Sequence, residues 1–365
     1  MSGIQLEQVS KRFGSFTAVD ALDLEIADGT FTALLGPSGC GKTTTMNMIA
    51  GLETPTSGAI LFDGARVNDL DPGRRDIGFV FQSYAIFTHL TARANIGFGL
   101  RVRKLDAATV ESEVTRVARL LEIEHLLDRR ATQLSVNDLQ KVAIGRSMIG
   151  NPRIFLLDVP FSILDAAFRT YMRAELKKLQ RELSQTMIYV THDQVEAMSM
   201  AEQIAIMNQG KLEQYGSPDA VYNRPRTRFV AEFVGSTRMN FLPAAVAGGE
   251  TVRVTPLVPG AGAIELAASE VDLAGAGDAI TLAVRPEHLT VAGDDADVRG
   301  NVSLVEPLGA RTVVHVAVGD ATVRIVVVPS VRPKIGDTIG VRAARTHVHL
   351  FDDASGRSLM RNEAV

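Results

Sequence analysis

Apolar and polar residues alternate in short runs over the first 35 residues, a pattern that predicts β-strands separated by turns. Two later runs, RIFLLD at 153–158 and TMIYVTH at 186–192, are mainly apolar and bounded by turns, as expected for parallel strands buried on both faces. Between the early and late strands, residues 108–127 place Val110, Val114, Val117, Leu120 and Leu121 at helical spacing. The first two thirds of the chain are therefore predicted to be α/β with a helical insert.

The pattern changes after about residue 236, where Gly, Ala and Val become frequent and the helical period disappears. The runs TVVHVAV and ATVRIVVV flank the pair Gly319-Asp320, a spacing that favours a hairpin with a tight two-residue turn. We expect a domain boundary near 235–242, followed by a β-barrel-like domain.

Composition narrows the possible classes of function. The chain has 365 residues, a formal net charge of −4 and one cysteine, Cys40, so an internal disulfide is excluded and a reducing cytosol is favoured. No run reaches the length of a membrane-spanning helix, and the N-terminus lacks an apolar signal core. The acidic balance weighs against nucleic acid as the main ligand, and any membrane role must go through a partner.

The segment GPSGCGKT, residues 36–43, lies between an apolar run and a helix-prone run. Glycines at this spacing let backbone N–H groups converge on phosphate oxygens, and the following helix N-terminus adds partial positive charge. In such a P-loop, Lys42 reaches the β- and γ-phosphates and Thr43 binds Mg²⁺. Asp158, at the end of a second apolar strand, supports this interpretation. The sequence thus predicts an ATP and Mg²⁺ site that includes Gly36, Pro37, Ser38, Gly39, Cys40, Gly41, Lys42, Thr43 and Thr44.

Further segments follow the P-loop in a fixed order: VFQSYA at 80–85, QLSVNDLQKVAIGRS at 133–147, FLLDVPFSILDAAFR at 155–169 and TMIYVTHDQVEAM at 186–198. With LAVRPEHL, VEPLGARTVVHV and HVHLFD near the C-terminus, they make the chain resemble the ATPase subunit of a bacterial ATP-binding cassette (ABC) importer of the maltose and glycerol-phosphate type. The resemblance implies an α/β P-loop nucleotide-binding domain at 1–235, with a helical subdomain at about 88–150. It also implies a small OB-like regulatory β-barrel at 236–365.

The resemblance assigns roles to single residues. Phe13 would stack on adenine, Asp158 would hold Mg²⁺ through water, and His192 would face the γ-phosphate as a switch. Gln82 would contact Mg²⁺ or the attacking water and report to the membrane partner. Phe87 and Leu90 are candidates for a groove that accepts a helix of that partner. The alternatives are ordinary core packing for the apolar residues and structural roles for Gln82 and His192.

The chain departs from the family at Val159, where the family has the glutamate that is the presumed general base. A positioned general base typically increases the reaction rate about 10²–10⁴-fold, which corresponds to a lowering of the activation free energy by roughly 3 to 5.5 kcal/mol. Because Lys42, Thr43 and Asp158 remain, we expect ATP to be bound but cleaved slowly. Partial substitution for the base by His192 or Asp165 is the alternative.

A second departure lies at residues 134–138, the signature segment, where the family has L-S-G-G-Q. Here the residues are Leu134, Ser135, Val136, Asn137 and Asp138. In the family this segment faces the γ-phosphate held by the opposite subunit of a head-to-tail dimer, and glycines suit that close approach. Val136 brings a stiff β-branched side chain, whereas Asn137 is milder. Asp138 is either repulsive or harmless at a helix N-terminus.

Three hypotheses follow. The first is an importer ATPase subunit for a sugar or related polar solute, working with permease transmembrane subunits at the cytoplasmic face of a bacterial membrane, and indirectly with a solute-binding protein. It would pair with itself or with a second ABC ATPase. The alternative is a nucleotide-dependent regulatory module with little turnover, paired with an intact paralogue. A soluble cassette acting on DNA or ribosomes is disfavoured, because a basic surface is missing.

Overall fold

The computed structural model describes residues 3–161 and 166–361. The chain forms two compact units, Met1–Pro218 and Asp219–Val365. Within the described ranges, no helix is long and apolar enough to cross a membrane.

The first unit opens with a four-stranded antiparallel sheet. Its strands are β1 (Ile4–Phe13), β2 (Phe16–Ile26), β4 (Ser57–Phe62) and β5 (Ala65–Arg66), in the order β2-β1-β4-β5. Strands β1 and β2 form a hairpin in which Phe13 pairs with Phe16. The alternating runs near the N-terminus are therefore strands, as the sequence predicts.

A six-stranded sheet forms the centre of the first unit. It contains β3 (Phe31–Leu35), β6 (Ile77–Val80), β7 (Ile154–Asp158), β8 (Thr186–Thr191), β9 (Gln203–Asn208) and β10 (Lys211–Gly216). The order is β10-β9-β3-β8-β7-β6, and all neighbours are parallel except β9 and β10. Every residue of β3, β7 and β8 is buried, which explains their apolar sequences. The prediction of parallel strands at RIFLLD and TMIYVTH is confirmed.

Helices cover this sheet and form the insert. They are α1 (Lys42–Ala50), α2 (Ala92–Ile96), α3 (Phe98–Val102), α4 (Ala107–Leu120), α5 (Val136–Met148), α6 (Ala166–Leu183) and α7 (Gln194–Met200). In the insert, α4 buries Val110, Val114 and Val117, as predicted. It ends earlier than the periodicity suggests, because Glu122 adopts a left-handed φ of 57°. The N–H of Ile123 then bonds back to the carbonyl of Ala118 at 2.9 Å.

Helix α8 (Pro218–Asn223) starts at the last residue of the first unit and otherwise belongs to the second, which continues with α9 (Arg228–Phe233) and then as β-structure. Its strands are β11 (Asn240–Ala247), β12 (Thr251–Pro256), β13 (Ile264–Ala267), β14 (Ile280–Val284), β15 (Leu289–Ala292), β16 (Val298–Pro307), β17 (Thr312–Val318), β18 (Ala321–Val327), β19 (Thr338–Ala343) and β20 (Val348–Asp352). They form two antiparallel sheets, one with the order β13-β12-β11-β14-β20 and the other with the order β15-β19-β16-β17-β18. Apolar residues of both sheets share one core.

The predicted hairpin is present in the second sheet. Val318 pairs with Ala321, so Gly319 and Asp320 form the two-residue turn, and Gly319 has a φ of 59°. Glycine suits this position because a side chain disfavours left-handed backbone.

Helix α9 and nearly all of α8 belong to the second unit. The boundary between the two units, after Pro218, therefore comes earlier in the chain than the change in composition near residue 236. Arg285, which follows β14, donates hydrogen bonds to the carbonyls of Tyr222 and Val234. Ala231 packs with Met239 and other residues of the β-structure. The helical character of 218–233 hides this association from the sequence, and the domain ranges 1–235 and 236–365 stay predictions.

Candidate functional site

The P-loop connects β3 to α1 and wraps closely around neighbouring backbone. A β-carbon on Gly36 would lie 2.2 Å from the carbonyl oxygen of Met207, and one on Gly41 would lie 2.5 Å from that of Ala18. Gly41 also has a φ of 103°. Only glycine fits either position. Because the loop leads directly into α1, its backbone N–H groups lie beside the N-terminus of that helix.

Lys42 is buried in the loop with its ammonium group directed at the loop backbone. Its Nζ atom donates to the carbonyl oxygens of Gly36 at 2.8 Å and Pro37 at 2.9 Å, and it lies 3.5 Å from Sγ of Cys40. All hydrogen-bond partners of the ammonium group among the described residues thus lie within the loop itself. Cys40 is itself buried.

Thr43 and Asp158 supply the oxygen atoms expected for Mg²⁺. Thr43 Oγ1 donates to Asp158 Oδ1 at 3.3 Å, although the two residues are far apart in sequence. Burial raises the pKa of Asp158, against the opposing effects of the Thr43 hydrogen bond and the Lys42 charge. A buried carboxylate beside a hydroxyl suits a hard divalent cation. Among the described residues, no three His, Cys, Asp or Glu side chains form a metal cluster, so phosphate oxygens and water would complete the Mg²⁺ shell.

Gln82 and His192 lie at the same edge of the central sheet as Asp158. Val80 pairs with Leu157 in the parallel strands β6 and β7, so Gln82 follows β6 where Asp158 ends β7. His192 follows β8, which lies between β3 and β7. Both side chains are exposed, and the carboxyl ends of these strands form the crevice in which ligands bind in open α/β sheets.

The turn that carries His192 is fixed by buried hydrogen bonds. Thr191 and Tyr189 both donate their hydroxyls to the Glu196 carboxylate, at 2.6 and 2.7 Å. Asp193 caps α7 by accepting from the N–H groups of Val195 and Glu196. These bonds hold both sequence neighbours of His192, Thr191 and Asp193, at the edge of the sheet.

Phe13 lies at the tip of the β1–β2 hairpin and is 47% exposed. The Nζ atom of Lys11 lies 4.9 Å from the centre of its ring. Its partner across the hairpin, Phe16, is 60% exposed and was not identified from the sequence. Two residues further along β2, Ala18 contacts Gly41 of the P-loop, which places the aromatic pair about 7 Å from the loop along the strand.

Val159 adopts a φ of 42°, although a β-branched residue disfavours the left-handed region. Its N–H bonds to the carbonyl of Val190 at 3.0 Å, and its half-buried side chain packs against the core that contains Leu156 and Val190. No carboxylate is presented by this position. Asp165, the other acid considered near the site, lies outside the described residues.

The signature segment forms the start of α5. Ser135 is the N-cap: its Oγ accepts from the N–H of Asp138, and the Asp138 carboxylate accepts from the backbone N–H of Ser135. Val136 is 44% exposed, and Leu134 and Asn137 are half-buried. In the described part of the chain, no hydrogen bond joins residues 134–138 to residues 36–44.

Two family models match the chain: that of the ABC transporter over residues 19–162 and that of the TOBE domain over residues 282–351. The sulfoquinovosyl glycerol transport ATP-binding protein SmoE of Agrobacterium fabrum is 42% identical over 98% of this chain and 100% of its own. The chain belongs to the ABC transporter ATP-binding family. The sn-glycerol-3-phosphate import ATP-binding protein UgpC of Cereibacter sphaeroides is 43% identical (98% and 100% covered), and the maltose/maltodextrin import protein MalK of Vibrio cholerae is 41% identical (100% and 99%).

Solved structures agree with this membership. The dimeric post-hydrolysis state of the ATP-binding cassette MJ0796, bound to ADP and Pi, is 31% identical with a TM-score of 0.54, covering 59% of this chain and 98% of that one. The cbiO1 structure from Clostridium perfringens is 28% identical with a TM-score of 0.56, covering 60% and 89%. The ABC α/β fold and the C-terminal OB-like β-domain are thus confirmed.

In this ABC protein, Arg146 and Tyr84 connect the segment after Gln82 to the rest of the site, and neither was identified from the sequence. Arg146, on α5, donates to the carbonyls of Tyr84 at 3.0 Å and Ala85 at 2.6 Å. Both of these residues have positive φ, 61° and 47°. The Tyr84 hydroxyl donates to the carbonyl of Pro160, two residues after Asp158, at 3.3 Å. Only the fold brings these residues together.

Phe87, a groove candidate, contacts two of its neighbours through its ring. The Arg146 guanidinium carbon lies 5.3 Å from the centre of that ring, and the ring of Phe98 lies 4.5 Å away. The buried Asn95 fixes the Phe87 backbone by bonding to both its N–H and its carbonyl. Phe87 and Leu90 are both half-buried, and their role as a docking groove stays a prediction.

Proposed function

We propose that this chain is the ATP-binding subunit of an importer for a sugar or a related polar solute, at the cytoplasmic face of a bacterial membrane. The supporting observation is the P-loop site of Lys42, Thr43 and Asp158, in a chain matched along almost its whole length by import ATP-binding proteins. Those relatives are named for three different solutes. The similarity therefore supports the class of solute and not one compound.

The residues of the P-loop edge would bind and orient Mg-ATP. The aromatic ring of Phe13 stacks on adenine, and the loop N–H groups and Lys42 hold the phosphates. Lys42 exchanges its bonds to the Gly36 and Pro37 carbonyls for phosphate oxygens. Thr43, Asp158 and Gln82 would hold Mg²⁺, which would neutralise charge on the phosphates. His192 faces the γ-phosphate from the end of β8.

Position 159 determines the rate of chemistry in this proposal. Valine can neither accept a proton nor orient water, so the site holds ATP and cleaves it slowly. Slow turnover is also the mark of the alternative function, a regulatory module that closes on ATP. The comparisons favour the importer, because the relatives named above are import or transport proteins.

The partners in this proposal are a permease and a second cassette. A permease helix would dock near Phe87 and Leu90, and the solute-binding protein would act through the permease. The second cassette is another copy of this chain or a paralogue, and each nucleotide would lie between one P-loop and the opposite signature segment.

The proposal is tested by measuring Mg-ATP affinity in the full chain and in Lys42→Ala. Loss of a charge-assisted contact to phosphate should weaken binding by about 10- to 100-fold. Lys211→Ala is the matched control, because the Lys211 side chain is exposed and forms an ion pair with Asp20 at the surface. Equal affinities in all three proteins would refute the nucleotide site. ATP-driven uptake by vesicles that contain the permease should likewise require Lys42, and Lys42-independent uptake would refute the importer.

A further inference from the structure

A polar cavity of about 450 Å³ lies in the second unit, beside the segment that follows β20. Three arginines line it, Arg226, Arg357 and Arg361, together with two acids, Asp272 and Asp352. A volume of this size is typical of sites that bind small molecules. The lining carries more positive than negative charge, so we expect its ligand to be an anion.

Backbone hydrogen bonds hold the C-terminal segment, residues 355–361, from two sides. On one side, the N–H of Ser358 donates to the carbonyl of Arg226 at 2.9 Å. On the other side, the N–H of Arg361 donates to the carbonyl of Glu270 at 2.8 Å. The fold of the second unit therefore fixes the backbone that carries the three arginines.

The two acids of the cavity bond to backbone N–H groups of their own surroundings. Asp352 accepts from Gly277 at 2.9 Å and from Ser355 at 2.7 Å. Asp272 accepts from Ala274 through Oδ1 at 3.1 Å. Within residues 3–161 and 166–361, no ion pair includes either acid. The two carboxylates therefore shape the wall of the cavity without neutralising its arginines.

The guanidinium groups of Arg357 and Arg361 are available to a ligand. Both side chains are exposed, and in the described part of the chain neither guanidinium takes part in a hydrogen bond or an ion pair. An arginine donates through five N–H groups in a planar fork, which matches the oxygens of a phosphate. The hydroxyl of Ser358, also in the lining, accepts from the N–H of Met360 at 3.3 Å and keeps its own proton for another acceptor.

We propose that this cavity binds a phosphate monoester whose carbon skeleton carries hydroxyl groups. Arg357 and Arg361 bind the phosphate oxygens through forked, charge-assisted hydrogen bonds, and Arg226 adds positive charge. Oδ2 of Asp272 has no hydrogen-bond partner among the described residues, and it accepts from a hydroxyl of the skeleton. A bare phosphate ion would leave most of the cavity unfilled. The site lies wholly within the second unit and shares no residue with the P-loop.

The test is isothermal titration calorimetry of the full chain with glucose 6-phosphate, inorganic phosphate and glucose. Lys42→Ala is titrated beside the parent, because the P-loop also attracts phosphate. We expect glucose 6-phosphate to bind both proteins with equal affinity and more tightly than inorganic phosphate. Glucose, which lacks the anion, should not bind.

Single substitutions then locate the site. Arg357→Gln and Arg361→Gln each remove one positive charge and should weaken binding of glucose 6-phosphate by about 10- to 100-fold. Arg332→Gln is the matched control, because Arg332 is an exposed arginine of the same unit outside the cavity lining. Arg357→Lys keeps the charge but loses the fork, so its affinity should be intermediate. All four variants should keep the urea midpoint of the parent, since the altered side chains are exposed.

Four outcomes would overturn the inference. The parent does not bind glucose 6-phosphate, or it binds inorganic phosphate equally well. Arg332→Gln weakens binding as much as Arg357→Gln, which would show a general attraction of anions to the surface. Lys42→Ala abolishes binding while Arg357→Gln and Arg361→Gln leave it unchanged, which would place the anion in the P-loop.

Discussion

Replacing Arg285 by methionine should loosen α8 and α9 from the β-structure of the second unit. Arg285 is completely buried, and its guanidinium donates to the carbonyl of Tyr222 through Nε at 3.1 Å and Nη2 at 2.7 Å. Nη1 donates to the carbonyl of Val234 at 2.6 Å, and the guanidinium carbon lies 3.7 Å from the centre of the Tyr222 ring. One side chain therefore holds both ends of the segment 222–234.

The expected magnitude comes from opposing effects. Two buried carbonyls lose their donor at about 1–3 kcal/mol each, and the loss of the cation–π contact costs about 1–2 kcal/mol more. Burial lowers the pKa of Arg285 to about 10 from 12.5. That shift corresponds to about 3 kcal/mol spent on keeping the charge buried, which methionine recovers. The net destabilisation is about 0–5 kcal/mol, and the middle of that range, about 2–3 kcal/mol, is the expected value.

The assay is amide hydrogen exchange on the full chain. Protection of amides in 219–234 should fall about 30- to 150-fold, whereas amides of α1 should be unchanged. Arg285→Lys is the control, because one ammonium group cannot reproduce the fork that reaches both carbonyls. It should be destabilised at least as much as Arg285→Met. Unchanged protection in Arg285→Met, or full rescue by lysine, would refute this reasoning.

Two further predictions concern pH and capping. Burial, followed by the charge of Arg285 and then by His288 and His347, lowers the pKa of His349 to about 4. The folded state then binds fewer protons than the unfolded state, so stability present above about pH 6.5 is lost towards pH 4, by up to about 3 kcal/mol. Unfolding monitored by far-UV circular dichroism between pH 7 and 4 should show this loss. His349→Gln should reduce the slope without abolishing it, because burial also lowers the pKa of His288 to about 4; equal slopes would contradict the assignment. Asp106→Ala removes the N-cap of α4 and should lower the urea midpoint of unfolding, whereas an unchanged midpoint would show that the cap is dispensable.

The central sheet and the P-loop could be predicted from sequence because local patterns determine them. Buried parallel strands require apolar runs, and the glycines of the loop are fixed by close backbone contacts such as that between Gly41 and Ala18. Long-range contacts have no such local mark. The bonds from Arg285 to Tyr222 and from Arg146 to Tyr84 join residues more than 60 positions apart. Asp138 is an intermediate case, because its position in the sequence left both repulsion and harmless capping open. In the structure it caps α5 together with Ser135, and it forms no ion pair with another described residue.

We propose that the site binds Mg-ATP through Lys42, Thr43 and Asp158 but lacks a base because residue 159 is valine. The most direct test is the ATP hydrolysis rate of purified chains carrying Val, Gln or Glu at position 159. Each is measured alone and together with Asp138→Gln, so that the charge on the signature segment does not mask the effect. We expect slow hydrolysis for Val159 and Val159→Gln, and an increase of about 10²–10⁴-fold for Val159→Glu with Asp138→Gln. Rapid hydrolysis by the parent, with no gain from Val159→Glu, would contradict it.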